Sequence, residues 1–121
     1  MNASTAQLAN YRQSPRKVRL IADLIRGKNA EHALSLLMTL PKRGSEPMAK
    51  LLRSAVANAK GASAQELYIS KIEVNGGIVF KRQMPRARGR AALIRKKTSV
   101  ITLALATAAP KKVRAKKTTS K

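Results

Sequence analysis

Residues 76–97 decide how this chain is organised, and they read GGIVFKRQMPRARGRAALIRKK. Eight of these 22 residues are basic and none is acidic. The segment is far longer than a common hairpin loop of about two to five residues. Residues suited to strands flank its basic centre, so we expect two strands that continue past their sheet as a hairpin arm over residues 76–97. With about ten residues per strand at ~3.3 Å each, the arm would extend roughly 30 Å.

The tip of the predicted arm alternates arginine with small residues. In an extended chain, a period of two would place these arginines on one face: Arg82, Arg86, Arg88 and Arg90. The opposite face would be nearly bare, with Ala87, Gly89 and Ala91. Arginine offers forked donors to phosphate, and small residues let the backbone approach it. The tip therefore predicts contact with a polyanion, which would also order an arm that has little apolar surface of its own.

Alternating stretches on both sides of the arm indicate strands. Before the arm, four residues are expected to share one face: Tyr68, Ser70, Ile72 and Val74. After it, in residues 98–105, three residues line one face: Ile101, Leu103 and Leu105. Residues 6–11 supply a third strand to the prediction. Because a lone two-stranded hairpin is marginal, we expect three strands with helices on one face.

Three amphipathic stretches predict helices. Ser14 and Pro15 mark the start of the first and Gly27 its end, Asn29 caps the second, and Ser45 opens the third. Their apolar stripes are Val18, Ile21, Ala22, Leu24 and Ile25; Ala30, Ala33, Leu34 and Leu37; and Met48, Leu51, Leu52, Ala55, Val56 and Ala59. The elements predict an α+β fold: a two-layer β-ααα-ββ domain whose three-stranded antiparallel sheet is covered by three helices, with a long protruding β-hairpin.

Charge indicates the class of partner. The 121 residues carry 26 lysines and arginines against five acids, a net charge of +21. All five acids precede residue 74, so residues 74–121 hold +14 without an acid. A compact body of this size would repel itself unless a polyanion supplied negative charge. The length allows one domain, and an alanine-rich composition predicts a thin aliphatic core.

Residues that carry catalysis or bind metals are few. His32 is the only histidine, cysteine is absent, and the carboxylates stand singly. Neither a carboxylate pair suited to a nuclease's metal ions nor a glycine-rich phosphate loop occurs. We therefore expect no enzyme, no catalytic residue, no metal site and no cofactor. The first fifteen residues lack the pattern of a secretory signal and no apolar run approaches ~18 residues, so no membrane partner is expected.

Four motifs in order resemble one family. They are SPRK at residues 14–17 with LIRGK at 24–28, SAVANA at 54–59, MPRARGRA at 84–91, and KTS at 97–99. Together they resemble the family of large-subunit ribosomal protein twenty-two, bacterial type, over residues 4–106. The resemblance implies a β-ααα-ββ fold and a structural constituent of the large subunit of the cytoplasmic ribosome.

The resemblance also implies partners and sites. Residues 1–110 would form a single RNA-binding domain that binds large-subunit ribosomal RNA, bridges RNA domains during assembly and contacts neighbouring ribosomal proteins, without homo-oligomers. The basic residues implied to bind RNA are Arg12, Arg16, Lys17, Arg19, Arg26, Lys28, Lys81, Arg82, Arg86, Arg88, Arg90, Arg95, Lys96 and Lys97. The hairpin would line the nascent-peptide exit tunnel, and the tip that meets the nascent polypeptide comprises Met84, Pro85, Arg86, Ala87, Arg88, Gly89 and Arg90. By composition, residues 111–121 are expected to form a basic disordered tail.

An architectural DNA-bending protein is the alternative function. Such proteins wedge proline or apolar side chains into the minor groove beside basic contacts, and a basic ribbon tipped by Pro85 would suit this role. Ribbon proteins that clasp DNA usually need two arms from a dimer, whereas the helical stripes here suffice only to cover one sheet. A secreted membrane-active protein is a third class, but it would need the signal peptide that is not found.

Overall fold

The computed structural model describes residues 4–107, in which one strand precedes three helices and two long strands. The elements are β1 (Ser4–Tyr11), α1 (Pro15–Ile25), α2 (Ala30–Thr39), α3 (Ser45–Asn58), β2 (Tyr68–Pro85), a short 3-10 helix (Ala87–Gly89) and β3 (Ala91–Ala106). This order confirms the predicted β-ααα-ββ arrangement. The predicted tail, residues 111–121, lies outside the described residues.

The sheet places β3 between its two partners. Both neighbours run antiparallel to it, in the order β1-β3-β2. Ile101 pairs with Leu8 on one side and with Val74 on the other. Helices α1 and α3 pack on the sheet, and α2 packs on α3. The aliphatic core therefore lies between one sheet face and the helices, as predicted.

The helix boundaries follow the local signals. Pro15 begins α1, and Gly27 follows its end with a φ of +77°, a conformation that glycine adopts without a Cβ clash. The Asn29 side chain accepts a hydrogen bond of 2.9 Å from the Glu31 amide, which confirms the predicted cap of α2. Leu24 was wrongly predicted as core: it lies at the margin of the α1 stripe and is 38% exposed.

The helices within residues 4–107 do not have the length and apolar character that a membrane span requires.

The alternation predicted for β2 is wrong at its start. Tyr68 is only half-buried and Ser70 is exposed, whereas Ile69 is 1% exposed and joins Ile72 and Val74 in the core. A β-bulge directly after Ile69 adds one residue to β2 opposite β3. Strand side chains alternate between the two faces of a sheet with a period of two. One extra residue therefore shifts the alternation, so that Ile69 lies on the same face as Ile72 and Val74.

A second bulge marks the point where the sheet ends and the arm begins. The pairing shifts by one residue between Gly76 and Val79, opposite Thr98. The Thr98 hydroxyl donates to the Ile78 carbonyl at 2.6 Å, and the Ser99 hydroxyl donates to the Gln13 carbonyl at 2.6 Å. Both hydroxyl-bearing residues are at most 1% exposed. Since bulges bend and twist the strand that carries them, this junction sets the direction in which the arm leaves the body.

The long hairpin is confirmed, but its tip is not extended as expected. The two strands stay paired out to Pro85 and Ala91. Beyond that pair the chain turns through residues 86–90, where Arg88 and Gly89 have φ values of +63° and +69° and the Arg86 amide donates to the Arg90 carbonyl at 2.7 Å. The tip arginines consequently do not alternate along one strand face. Every residue from 81 to 91 is exposed.

Replacing Gly77 with alanine is expected to destabilise the junction. An added Cβ would lie 2.6 Å from the Thr98 Oγ1 and 3.5 Å from two Thr98 backbone atoms. That hydroxyl belongs to a buried, β-branched side chain with few alternative rotamers, so it cannot move aside cheaply. Overpacking of this kind costs about 1 to 3 kcal/mol, which urea or thermal unfolding would measure.

Gly76→Ala is the matched control. A Cβ at Gly76 would meet only the Pro15 Cγ at 3.9 Å, an ordinary contact, so its unfolding free energy should change by less than about 0.5 kcal/mol. Equal losses of stability in the two variants would contradict a specific clash at Thr98.

Candidate nucleic-acid interface

A cavity of about 630 Å³ lies at the base of the arm. Its lining comes from the β1–α1 loop, α1, the α2–α3 loop and β3: Arg12, Gln13, Ser14, Lys17, Arg43, Arg95, Lys96 and Lys97. Six of the eight lining residues are basic and none is acidic. We call this cavity the basic cleft. A concave site with this lining offers hydrogen-bond donors and positive charge, and it therefore suits an anion.

Backbone and hydroxyl contacts hold the segments of the basic cleft together. The Ser99 hydroxyl of β3 donates a hydrogen bond to the Gln13 carbonyl and so attaches the β1–α1 loop to this strand. The same strand carries Arg95, Lys96 and Lys97. Lys17 lies in the first turn of α1, which follows Gln13 closely in the chain. The cleft thus forms where the start of α1 meets the base of the hairpin arm.

Arg43 reaches the basic cleft from the loop between α2 and α3. The Ser45 hydroxyl closes that loop by donating to the Lys42 carbonyl at 2.6 Å. Gly44 packs so tightly that a Cβ there would lie 2.7 Å from the Ile21 Cδ1 and 3.0 Å from the Gln13 Oε1. Sequence reasoning missed Arg43, because a single arginine in a short loop has no pattern that points to a site. Only the packing of Gly44 beside Gln13 brings it there.

Arg12 lies over an aromatic ring. Its guanidinium carbon is 4.2 Å from the centroid of the Phe80 ring, while Arg12 itself is exposed. Phe80 is half-buried on β2, directly opposite Lys96. Cation–π contacts at exposed sites contribute about 0.5 to 1 kcal/mol. The ring therefore helps to hold the guanidinium at the edge of the basic cleft.

Like charges face each other along the base of the arm. Lys81 and Arg95 are directly opposite in the strand register, and Lys97 lies two residues along on the same face of β3. Like charges on two directly opposite residues destabilise the pairing of antiparallel strands. A bound phosphate would offset this repulsion, because it accepts hydrogen bonds from both cations.

Among the described residues, no acid forms an ion pair with the arm or the basic cleft. Within residues 4–107, the ion pairs are Asp23 with Arg26, Glu46 with Lys50, and Glu73 with Lys71. None of them includes a residue of the arm or the basic cleft. In the same range, no three histidine or acidic side chains come together as a metal site. The region can therefore bind anions through donors alone.

Other predicted site residues have different surroundings. The Arg19 Nε donates to the Val74 carbonyl at 3.2 Å, and the Arg26 Nη2 donates to the Ile72 carbonyl at 3.1 Å. Arg26 also pairs with Asp23 at 2.5 Å. These two arginines attach α1 to the backbone of the edge strand β2 and cover part of that edge.

The predicted RNA-binding residues thus fall into distinct groups. The basic cleft contains Arg12, Lys17, Arg95, Lys96 and Lys97. The arm carries Lys81, Arg82, Arg86, Arg88 and Arg90, all of them exposed. Arg16 is exposed on α1 and Lys28 is half-buried after it, and neither lines the basic cleft.

Comparison with known proteins identifies the family. Residues 6–106 match the model of the family described as ribosomal protein L22p/L17e. The chain is 52% identical over 106 residues to the large ribosomal subunit protein uL22 of Geobacter sulfurreducens, which covers 85% of this chain and 96% of that protein. It is 50% identical over 105 residues to uL22 of Caldicellulosiruptor saccharolyticus, covering 84% and 86% respectively. The chain therefore belongs to the ribosomal protein L22p/L17e family.

Family membership confirms the resemblance found from the four motifs. It places the protein in the large ribosomal subunit of the cytoplasmic ribosome, as a structural protein and not an enzyme. It favours this function over the alternative of a DNA-bending protein.

Proposed function

We propose that the protein binds large-subunit ribosomal RNA through the basic cleft and the hairpin arm, and so holds separate RNA segments together during assembly. One observation carries the proposal: six basic side chains from two loops, α1 and β3 converge on a cavity whose lining includes no acid. The ion pairs within residues 4–107 all lie elsewhere, so no carboxylate of that range pairs with this charge. The names of its relatives, which are large ribosomal subunit proteins, support ribosomal RNA as the proposed polyanion.

Each group of the basic cleft has a definite task in this proposal. Arg43 and Arg95 present forked donors that match two phosphate oxygens, whereas Lys17, Lys96 and Lys97 act as point charges. Phosphate contacts of this kind position a protein on RNA and release bound counterions. Because the lining spans both α1 and the arm, one bound RNA segment would fix the arm relative to the body.

The arm is proposed to run on into the RNA and to line the nascent-peptide exit tunnel with its tip, where it meets the nascent polypeptide. Exposure of every residue from 81 to 91 supports this, because the body formed by residues 4–107 does not cover this part of the arm. The proposal includes the organisation of residues 1–110 as one RNA-binding domain and contacts with neighbouring ribosomal proteins.

Binding to a large-subunit ribosomal RNA fragment is expected to weaken steeply with salt. If the six basic residues of the cleft each neutralise one phosphate, the slope of log K against log salt concentration should be about −4 to −5. A filter-binding titration over a range of potassium chloride concentrations measures this slope. A slope near zero would overturn the proposal. Competition with duplex DNA is the control, and equal displacement by DNA and RNA would instead favour the DNA-bending alternative.

A further inference from the structure

Among the described residues, Arg12 is exposed while its guanidinium packs on Phe80, which leaves it able to accept a stacked base on the side away from the ring. The ring occupies one side of the guanidinium at 4.2 Å, and Arg12 is exposed while it lines the basic cleft. Unpaired RNA bases stack on aromatic rings and on arginine planes. A guanidinium already held on a ring is preorganised for such a contact, since its side-chain entropy is partly lost before binding.

The size of the basic cleft also points to a nucleotide. Its volume of about 630 Å³ falls within the range of about 300 to 1,000 Å³ found for small-molecule pockets. The backbone of an RNA duplex needs only a basic surface, whereas a nucleotide turned out of a helix needs a concavity. Arg95, Lys96 and Lys97 lie in the same cavity as Arg12, so donors for a phosphate accompany the stacking surface.

We infer that the basic cleft receives one unpaired nucleotide of RNA, with its base stacked on Arg12 and its phosphate bound by the basic residues of β3. The inference rests on the proposed function and specifies the ligand of that site. Arg12 is a specificity-determining residue in this arrangement, because it distinguishes a bulged nucleotide from a continuous duplex.

The test compares two short RNA duplexes that differ by one bulged 2-aminopurine nucleotide. Wild-type protein is expected to bind the bulged duplex about tenfold more tightly than the fully paired one, as one stacked base can supply this difference. It should also quench the 2-aminopurine fluorescence. Arg12→Lys keeps the charge but removes the planar group, so the ratio of the two affinities should fall to about one.

Two further variants complete the test. Arg53→Lys makes the same change on α3, outside the basic cleft, and should keep the tenfold ratio. Phe80→Leu removes the ring under Arg12 and should lower the ratio in protein whose thermal unfolding shows it to be folded.

The outcomes separate this inference from the proposed function. Equal wild-type affinity for both duplexes, or an unchanged ratio in Arg12→Lys, would overturn the inference while leaving RNA binding in place. Failure of the wild-type protein to bind either duplex at low salt would overturn the proposed function itself.

Discussion

Reversing the charge of Arg95, Lys96 and Lys97 to glutamate is expected to weaken binding to large-subunit ribosomal RNA by about three orders of magnitude or more. Each charge-assisted hydrogen bond contributes about 1.5 to 3 kcal/mol, and three would be lost together. Repulsion between the new carboxylates and phosphate adds to this loss. The three side chains are exposed, so the variant should remain folded. Gel-shift titration with a ribosomal RNA fragment and incorporation into large subunits measure the effect.

A charge-matched variant on α3 and the loop after it separates the site from general electrostatics. Lys50, Arg53 and Lys60 are exposed and do not line the basic cleft. Their replacement by glutamate changes the net charge equally, yet it should weaken binding far less. Comparable losses for the two triple variants would show that total charge, and not the basic cleft, determines the affinity.

Replacement of Arg86, Arg88 and Arg90 by glutamate is expected to detach the tip of the arm while the body stays bound. The backbone bond from the Arg86 amide to the Arg90 carbonyl does not involve the side chains, so the turn should persist. The basic cleft is left intact, whereas three tip contacts of about 1.5 to 3 kcal/mol each would be lost. Chemical probing of ribosomal RNA in subunits carrying the variant should show new reactivity inside the tunnel, with near-normal protection at the subunit surface.

The corresponding glutamine variant tests the sign of the effect. It removes the three positive charges without adding negative ones, so its tunnel reactivity should be intermediate. Unchanged tunnel reactivity in the glutamate variant, with protection lost only at the surface, would place the hairpin outside the tunnel.

Much of this fold was predictable because its determinants are local. The cap at Asn29 and the stop at Gly27 act within one helical turn, and the structure has both where the sequence indicated them. The arm was predictable because residues 76–97 combine strand-forming ends with an acid-free centre. The bulge after Ile69 was not predictable from the sequence. An alternating pattern does not show where an extra residue shifts the faces, because the pairing with β3 determines the register.

In the candidate site, too, some features were predictable from the sequence and others depended on the tertiary structure. The sequence by itself determined the order of the elements, the excess of positive charge in the last 48 residues and the motifs that identify the family. Only the tertiary structure decided which basic residues act together. It turns Arg19 and Arg26 onto the backbone of β2 and brings Arg43 to residues 95–97, which are more than fifty positions away. The physical reason is that the periodicity of a sequence shows only on which face of its own helix or strand a residue lies. A cleft between elements depends on long-range contacts, such as the hydrogen bond of Ser99 with Gln13.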